Sequence, residues 1–149
     1  MDELTRKTYE LRADIIDEVY QSKAGHVGGD LSVIDILTVL YYKVMDITPE
    51  NFSERNRDHF LLSKGHCVDA LYMVLGDLGF FDKEEAKKTF SAYGSRYIGH
   101  PNTEVPGIEI NSGSLGHGMA LGVGMALAGK VGGMDDRTCV VRGDGEASE

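Results

Sequence analysis

Leu4, Thr8, Leu11, Ile15 and Val19 recur at steps of three and four, which predicts an amphipathic helix over about residues 3–23. Gly25 stops it and opens a loop, Gly25-His26-Val27-Gly28-Gly29. Ser32, with Asp35 three residues later, reads as a capping box. The run behind it, Val33, Ile34, Ile36, Leu37, Val39, Leu40 and Tyr41, is apolar nearly all round, the pattern of a helix buried on most sides. A charged stretch, Glu54 to Asp58, precedes His59-Phe60-Leu61-Leu62, a short apolar run that fits a buried strand. Ser63-Lys64-Gly65-His66 follows directly, and then a helix over about residues 68–78. Asp82 and Glu85 mark a second capping box and a short helix. Residues 91–113 are loop-like, rich in Gly, Ser, Asn and Pro. A helix of small residues over about 115–129 and a strand at Thr138 to Val141 complete the pattern.

Strand, glycine turn and helix in alternation predict an α/β fold with a parallel sheet and helices layered on it. In such sheets ligands bind beyond the carboxyl ends of the strands. Ser63-Lys64-Gly65-His66 and Gly143-Asp144-Gly145 both fall there. The chain has 149 residues, no internal repeat and no composition break, so a single domain is expected.

Charge narrows the partners. Fifteen basic and 24 acidic residues give a net charge of −9, which argues against nucleic acid and acidic membranes as partners. No apolar run reaches the roughly 18 residues of a membrane span. The N-terminus is charged and helical in pattern, unlike a signal peptide, and the cytoplasm is the expected compartment. Cys67 and Cys139 sit far apart within apolar runs and are expected to be buried, reduced thiols. Glycine is the unusual residue, 19 against 3 prolines. The glycines cluster at 25–29, 94–99, 113–124, 132–133 and 143–145, with apolar helices between the clusters. Clusters so placed suggest loops whose backbone approaches a ligand closely.

Four of the five histidines directly follow glycine: His26, His66, His100 and His117. Each alone reads as a loop histidine bonded to backbone. Together they point to a shared polar site, able to donate to phosphate or sugar oxygens and to move protons near neutral pH. Zinc is disfavoured, because there is no helical HxxxH pair and no cysteine pair. Gly113-Ser114-Leu115-Gly116-His117-Gly118 opens the small-residue helix; it is neither GxGxxG nor a Walker A motif. Glycines at a helix start can still turn backbone N–H groups toward an anion. Along that helix Gly116, Ala120, Gly124 and Ala128 form one small stripe, and Gly118, Gly122 and Ala126 a neighbouring one, either suited to close packing. Asp144, between two glycines after a strand, is placed to bind Mg²⁺ or Ca²⁺ through oxygen, with an ordinary Asp-Gly turn as the plain alternative.

Taken in order, AGHVGGDLS, LLSKGHCVDALY, GHPNTEVPGIEINSGSLGHGMALGVGMALA and VVRGDGEASE resemble the N-terminal, diphosphate-binding section of transketolases. The stretches span residues 24–149, and the SGSLGHG form is most similar to split transketolases built from separate N- and C-terminal subunits. The resemblance implies a three-layer thiamine diphosphate-binding fold, incomplete at the C-terminus, and an enzyme that uses thiamine diphosphate with Mg²⁺ or Ca²⁺. It implies transfer of a two-carbon ketol unit from a ketose phosphate to an aldose phosphate. By position, His26 and His100 match histidines lining the substrate channel, and His66 matches one near diphosphate and substrate. Gly113 and Leu115 match backbone contacts to the thiamine. Asp144 matches a metal ligand, Gly145 a diphosphate contact, and Glu149 a buried glutamate at the subunit interface. The family's metal motif closes with an asparagine farther along, and a pyrimidine-binding section supplies the glutamate that activates the cofactor. The chain is therefore expected to be part of a longer product, inactive alone, working with a C-terminal subunit in a homo- or hetero-oligomer. Arg142 departs from the family, which usually has an apolar residue there. The alternatives are another thiamine diphosphate enzyme, such as a 1-deoxyxylulose-5-phosphate synthase, or a non-catalytic interaction module.

Overall fold

The computed structural model describes residues 2–149. In chain order it has α1 (Glu3–Ser22), α2 (Val27–Val39), a wide helical turn (Leu40–Val44), β1 (His59–Leu62), a tight turn (Gly65–Cys67), α3 (Val68–Asp77), α4 (Lys83–Thr89), α5 (His117–Gly132), β2 (Thr138–Val141) and a last tight turn (Gly145–Ser148). Both expected strands form where the apolar runs place them, and they pair in parallel. The register sets Leu62 opposite Val141, and the Ser63 N–H donates to the Val141 carbonyl at 2.9 Å. Both strands therefore leave the sheet at the same edge. That is why the Ser63–His66 and Gly143–Gly145 segments lie side by side.

Side chains alternate across a strand. Phe60 and Leu62 face the main core, with Cys139 and Val141 packed against the same core. Leu61 and its register partner Val140 face the other way, and Val140 meets α5 at Gly122. Helices α1 to α4 thus cover one face and α5 the other, the three layers expected. In the core, Val68 to Leu75 of α3 are all buried. Tyr72 sits at its centre, edge-on to Phe81, Phe90 and Tyr97. Asp2 caps α1 by accepting from the Thr5 N–H at 2.8 Å, and Asp82 caps α4 by accepting from the Glu84 and Glu85 N–H groups.

Four expectations change. Gly28 and Gly29 are helical rather than loop, and α2 begins at Val27. Ser32 is inside α2, where its hydroxyl donates to the Gly29 carbonyl at 2.7 Å, so it caps nothing. The early start is a tertiary effect: a Cβ on Gly29 would meet Cys67 Sγ at 2.6 Å, so only glycine lets α2 approach the turn before α3 this closely. Nor is α2 buried all round, since Ile36 and Val39 are 50% and 44% exposed. Cys67 is buried as expected, Cys139 only half-buried, and both thiols are free.

The small stripes on α5 also divide. Gly118 and Gly122 face the sheet, while Ala120, Gly124 and Ala128 face outward. A Cβ on Gly118 would collide with the Ser63 side chain and come within 2.8 Å of Ser63 Cα. One on Gly124 would meet nothing within 4 Å. Alanine normally stabilises a helix interior over glycine by about 1 kcal/mol. Gly124→Ala should therefore raise the thermal midpoint slightly, and Gly118→Ala should lower it by several degrees. Thermal unfolding of the two variants checks this; equal shifts would contradict the close approach of α5 to the sheet.

Candidate functional site

Three of the four glycine-histidine pairs converge. His26 opens α2, His66 lies in the turn between β1 and α3, and His100 lies in the long loop before α5. The His26 ring centroid is 5.5 Å from that of His66 and 6.2 Å from that of His100, both edge-on. The long loop is docked on the strand end, because the Ser112 hydroxyl donates to the Leu62 carbonyl at 2.8 Å. Gly113 is then forced by two constraints. Its φ is +148°, and a Cβ there would press on the His100 ring at 2.9 Å. Burial, with Lys64 and His26 nearby, pulls the His66 pKa below its ordinary value, so its imidazole is neutral at pH 7. Such a ring donates from one nitrogen and accepts at the other.

The fourth pair separates from the rest. His117 is exposed at the start of α5, beside a groove of about 600 Å³ that also takes in Leu115, Arg142, Glu146 and Glu149. His59, the histidine without a preceding glycine, lies at the far end of β1 and bonds Glu109 at 3.2 Å, in a buried group with Arg57. Its place is structural.

Glu146 is a residue that the sequence pattern does not single out. It is 7% exposed and joins three segments. One carboxylate oxygen accepts from the Ser63 hydroxyl at 2.7 Å and from the Gly116 N–H at 2.9 Å; the other accepts from the Gly143 N–H. Burial alone would raise its pKa, but these donors outweigh it and hold the group below the usual carboxylate range. The turn after β1, the start of α5 and the turn after β2 are therefore tied to one anion. Asp144 stands in that last turn, exposed, with no side-chain capping bond. Beside it a Cβ on Gly145 would meet nothing within 4 Å, so the turn has open room for a ligand. Leu115 is 42% exposed, and Arg142 is exposed, which places its charge in solvent. Glu149 is exposed in the single chain, packed beside Gly116. Among the described residues no three His, Cys, Asp or Glu side chains converge as metal-ion ligands, so Asp144 is a lone carboxylate donor.

Behind His26 lies a second group absent from the sequence expectations: Glu18 of α1, Asp30 of α2 and Asp69 of α3, all fully buried. Glu18 falls three residues after Ile15 and seven after Leu11, on the apolar stripe of α1, and that position was the available signal. Both Glu18 oxygens lack a hydrogen-bond partner. Burial first, and the charges of Asp69 and Asp30 next, push its pKa up to about 9. The folded state therefore keeps a proton that the unfolded chain gives up above about 4.5. Stability from this group is full below that pH and falls as pH rises toward 9, by up to about 1.4 kcal/mol per unit. Glu18→Gln removes the titration. Urea unfolding between about pH 6 and pH 8 should show a shallower loss of stability in the variant; parallel losses would mean that Glu18 does not carry the proton.

Comparison with known proteins agrees with this geometry. The family model for the transketolase thiamine diphosphate binding domain matches residues 5–138. One of the subunits of the apulose-4-phosphate transketolase of Phocaeicola vulgatus is 49% identical over 138 residues, covering 93% of this chain and 49% of that protein. The 6-deoxy-6-sulfo-D-fructose transketolase subunit SqwG of a Clostridium species is 36% identical, covering 93% and 50%. The chain spans about half the length of these curated relatives. Among solved structures, the transketolase of Leishmania mexicana superposes with a TM-score of 0.90 at 31% identity, over 100% of this chain and 24% of that one. The transketolase of Campylobacter jejuni gives 0.89 at 33%, over 100% and 25%. With its sheet edge, its glycine-histidine turns and a family match over most of its length, the chain belongs to the transketolases, as part of their thiamine diphosphate binding domain.

Proposed function

We propose that this chain supplies the diphosphate-binding part of a two-subunit ketol transferase that moves a two-carbon unit between sugar phosphates. The observation that carries the reading is the convergence of His26, His66 and His100 beside the sheet edge that also bears the Gly143-Asp144-Gly145 turn. The open room at Gly145 and the free oxygen donor of Asp144 fit a cation-bound diphosphate at that edge. Thiamine diphosphate, when bound, supplies the electron sink for breaking and remaking a carbon–carbon bond beside a carbonyl.

This chain's residues take the following parts. Asp144 would hold Mg²⁺ or Ca²⁺ through one hard oxygen, and the ion would offset the charge of the diphosphate. The Gly145 N–H would donate to the diphosphate. Gly113 and Leu115 present backbone to the thiamine, with the Leu115 side chain offering apolar surface. His66, neutral near pH 7, donates an N–H to the diphosphate or to substrate. His26 and His100 line the channel, donate to sugar hydroxyl and carbonyl oxygens, and exchange protons with them. A C-terminal subunit supplies the pyrimidine-binding section, and Glu149 stands on the groove through which the two would meet. The assembly works in the cytoplasm. Two relatives carry in their names a phosphorylated and a sulfonated ketose, which supports a donor sugar with an anionic end.

The test pairs the full-length protein with its C-terminal partner and supplies a ketose phosphate donor and an aldose phosphate acceptor. Thiamine diphosphate should bind, by calorimetry, only with Mg²⁺ or Ca²⁺ present, and ketol transfer should follow. Binding that survives a chelator, or a loaded pair that transfers nothing, would overturn the reading.

A further inference from the structure

The helices that follow His26 and His66 start without caps of their own. Neither His26, which precedes α2, nor Cys67, which precedes α3, makes a side-chain capping bond. The first N–H groups of a helix have no partner inside it. Here each helix borrows an acid from the other. Asp69, in the first turn of α3, accepts from the His26 N–H at 3.3 Å. Asp30, in the first turn of α2, accepts from the Ala70 N–H at 3.3 Å. Each bond uses one carboxylate oxygen. The remaining two, Asp30 Oδ2 and Asp69 Oδ1, have no partner in protein, and both are buried. A single proton held between the two carboxyls would give both orphaned oxygens a partner.

We propose that Asp30 and Asp69 form an acid–carboxylate clamp that positions His26 against His66. Asp30 holds the proton and donates it, and Asp69 is the ionised acceptor. The clamp crosses between two helix starts, so it sets the gap between the two histidine-bearing turns. Gly25 reflects how closely the parts fit, since a Cβ there would collide with the Asp69 carboxylate. Both carboxyls are positioning residues: they act on substrate through His26 and His66. The groups facing the pair are Glu18 on α1, His26 at the start of α2 and Cys67 before α3, with Lys87 of α4 acting on Glu18. Burial and the Asp69 charge push the Asp30 pKa up to about 8. Above that pH the proton leaves, two buried anions face each other, and the gap opens.

The consequence for sugar binding rests on the ketol-transfer reading, so the test carries one readout that does not need activity. Asp30→Asn keeps an acceptor for Ala70 and gives Asp69 a permanent donor. Asp69→Ala removes the clamp. In the assembled enzyme the wild type should lose sugar-phosphate affinity above about pH 8 through a rise in KM. Asp30→Asn should abolish that rise and keep the neutral-pH KM. Asp69→Ala should raise KM about tenfold or more at pH 7. Imidazole NMR of His26 and His66 reports the same clamp without turnover. Both rings should show a transition near pH 8 in the wild type and in Glu18→Gln, but not in Asp30→Asn. Persistence of the transition in Asp30→Asn, or its loss in Glu18→Gln, would overturn the clamp. Absent turnover with the NMR pattern intact would overturn only the ketol-transfer reading.

Discussion

Glu146 is the constraint on which the site depends. Its carboxylate accepts one hydroxyl and two backbone N–H groups from three different segments, and its own backbone belongs to the turn after Asp144. Hydrogen bonds to a charged group are each worth about 1.5–3 kcal/mol, and burial raises the cost of leaving any of them unmade. The parallel register alone would bring the Ser63 and Gly143 turns to one edge. It would not fix how far apart they stand, nor how α5 enters between them. One anion, with three donors converging on it, sets both.

The site shows a consistent economy of charge. Four acids lie buried around it, and burial of a bare carboxylate is costly unless it is bonded or neutral. Glu146 takes the first course and stays ionised. Glu18 takes the second and holds its proton. Burial pushes both Asp30 and Asp69 up, and the proposed clamp divides the two courses between them. His66 is held neutral for the same reason, in a setting already crowded by Lys64 and His26. An imidazole so prepared keeps an acceptor nitrogen available, which a hydroxyl donor requires and an imidazolium lacks.

Much of this was legible in the chain. His59–Leu62 and Thr138–Val141 read as strands because short apolar runs bounded by charge and glycine leave little else to form. The glycine-histidine pairs read as a site because the same dipeptide recurs at element ends, and three of the four do meet. His117 does not, because a glycine before histidine says nothing about which loop it faces. A start of α2 at Ser32 is the wrong expectation because the true cap comes from Asp69, 43 residues away from His26. Local patterns cannot register a cap supplied by another helix. Glu146 reads as one acid among several in an acidic stretch; only the fold reveals that three donors converge on it. Glu18 is different, since a glutamate on the apolar stripe of α1 is visible in sequence and was a signal of burial.

The direct test replaces Glu146 by Gln in the full-length protein, in the two-subunit assembly proposed above, and measures thiamine diphosphate affinity by calorimetry with Mg²⁺ present. Gln keeps one acceptor oxygen and loses the other along with the charge. If the carboxylate sets the spacing of the three turns, affinity should fall about tenfold to a hundredfold, the equivalent of one charged hydrogen bond. Unchanged affinity in a folded variant would show that the turns keep their places without it and would contradict the account.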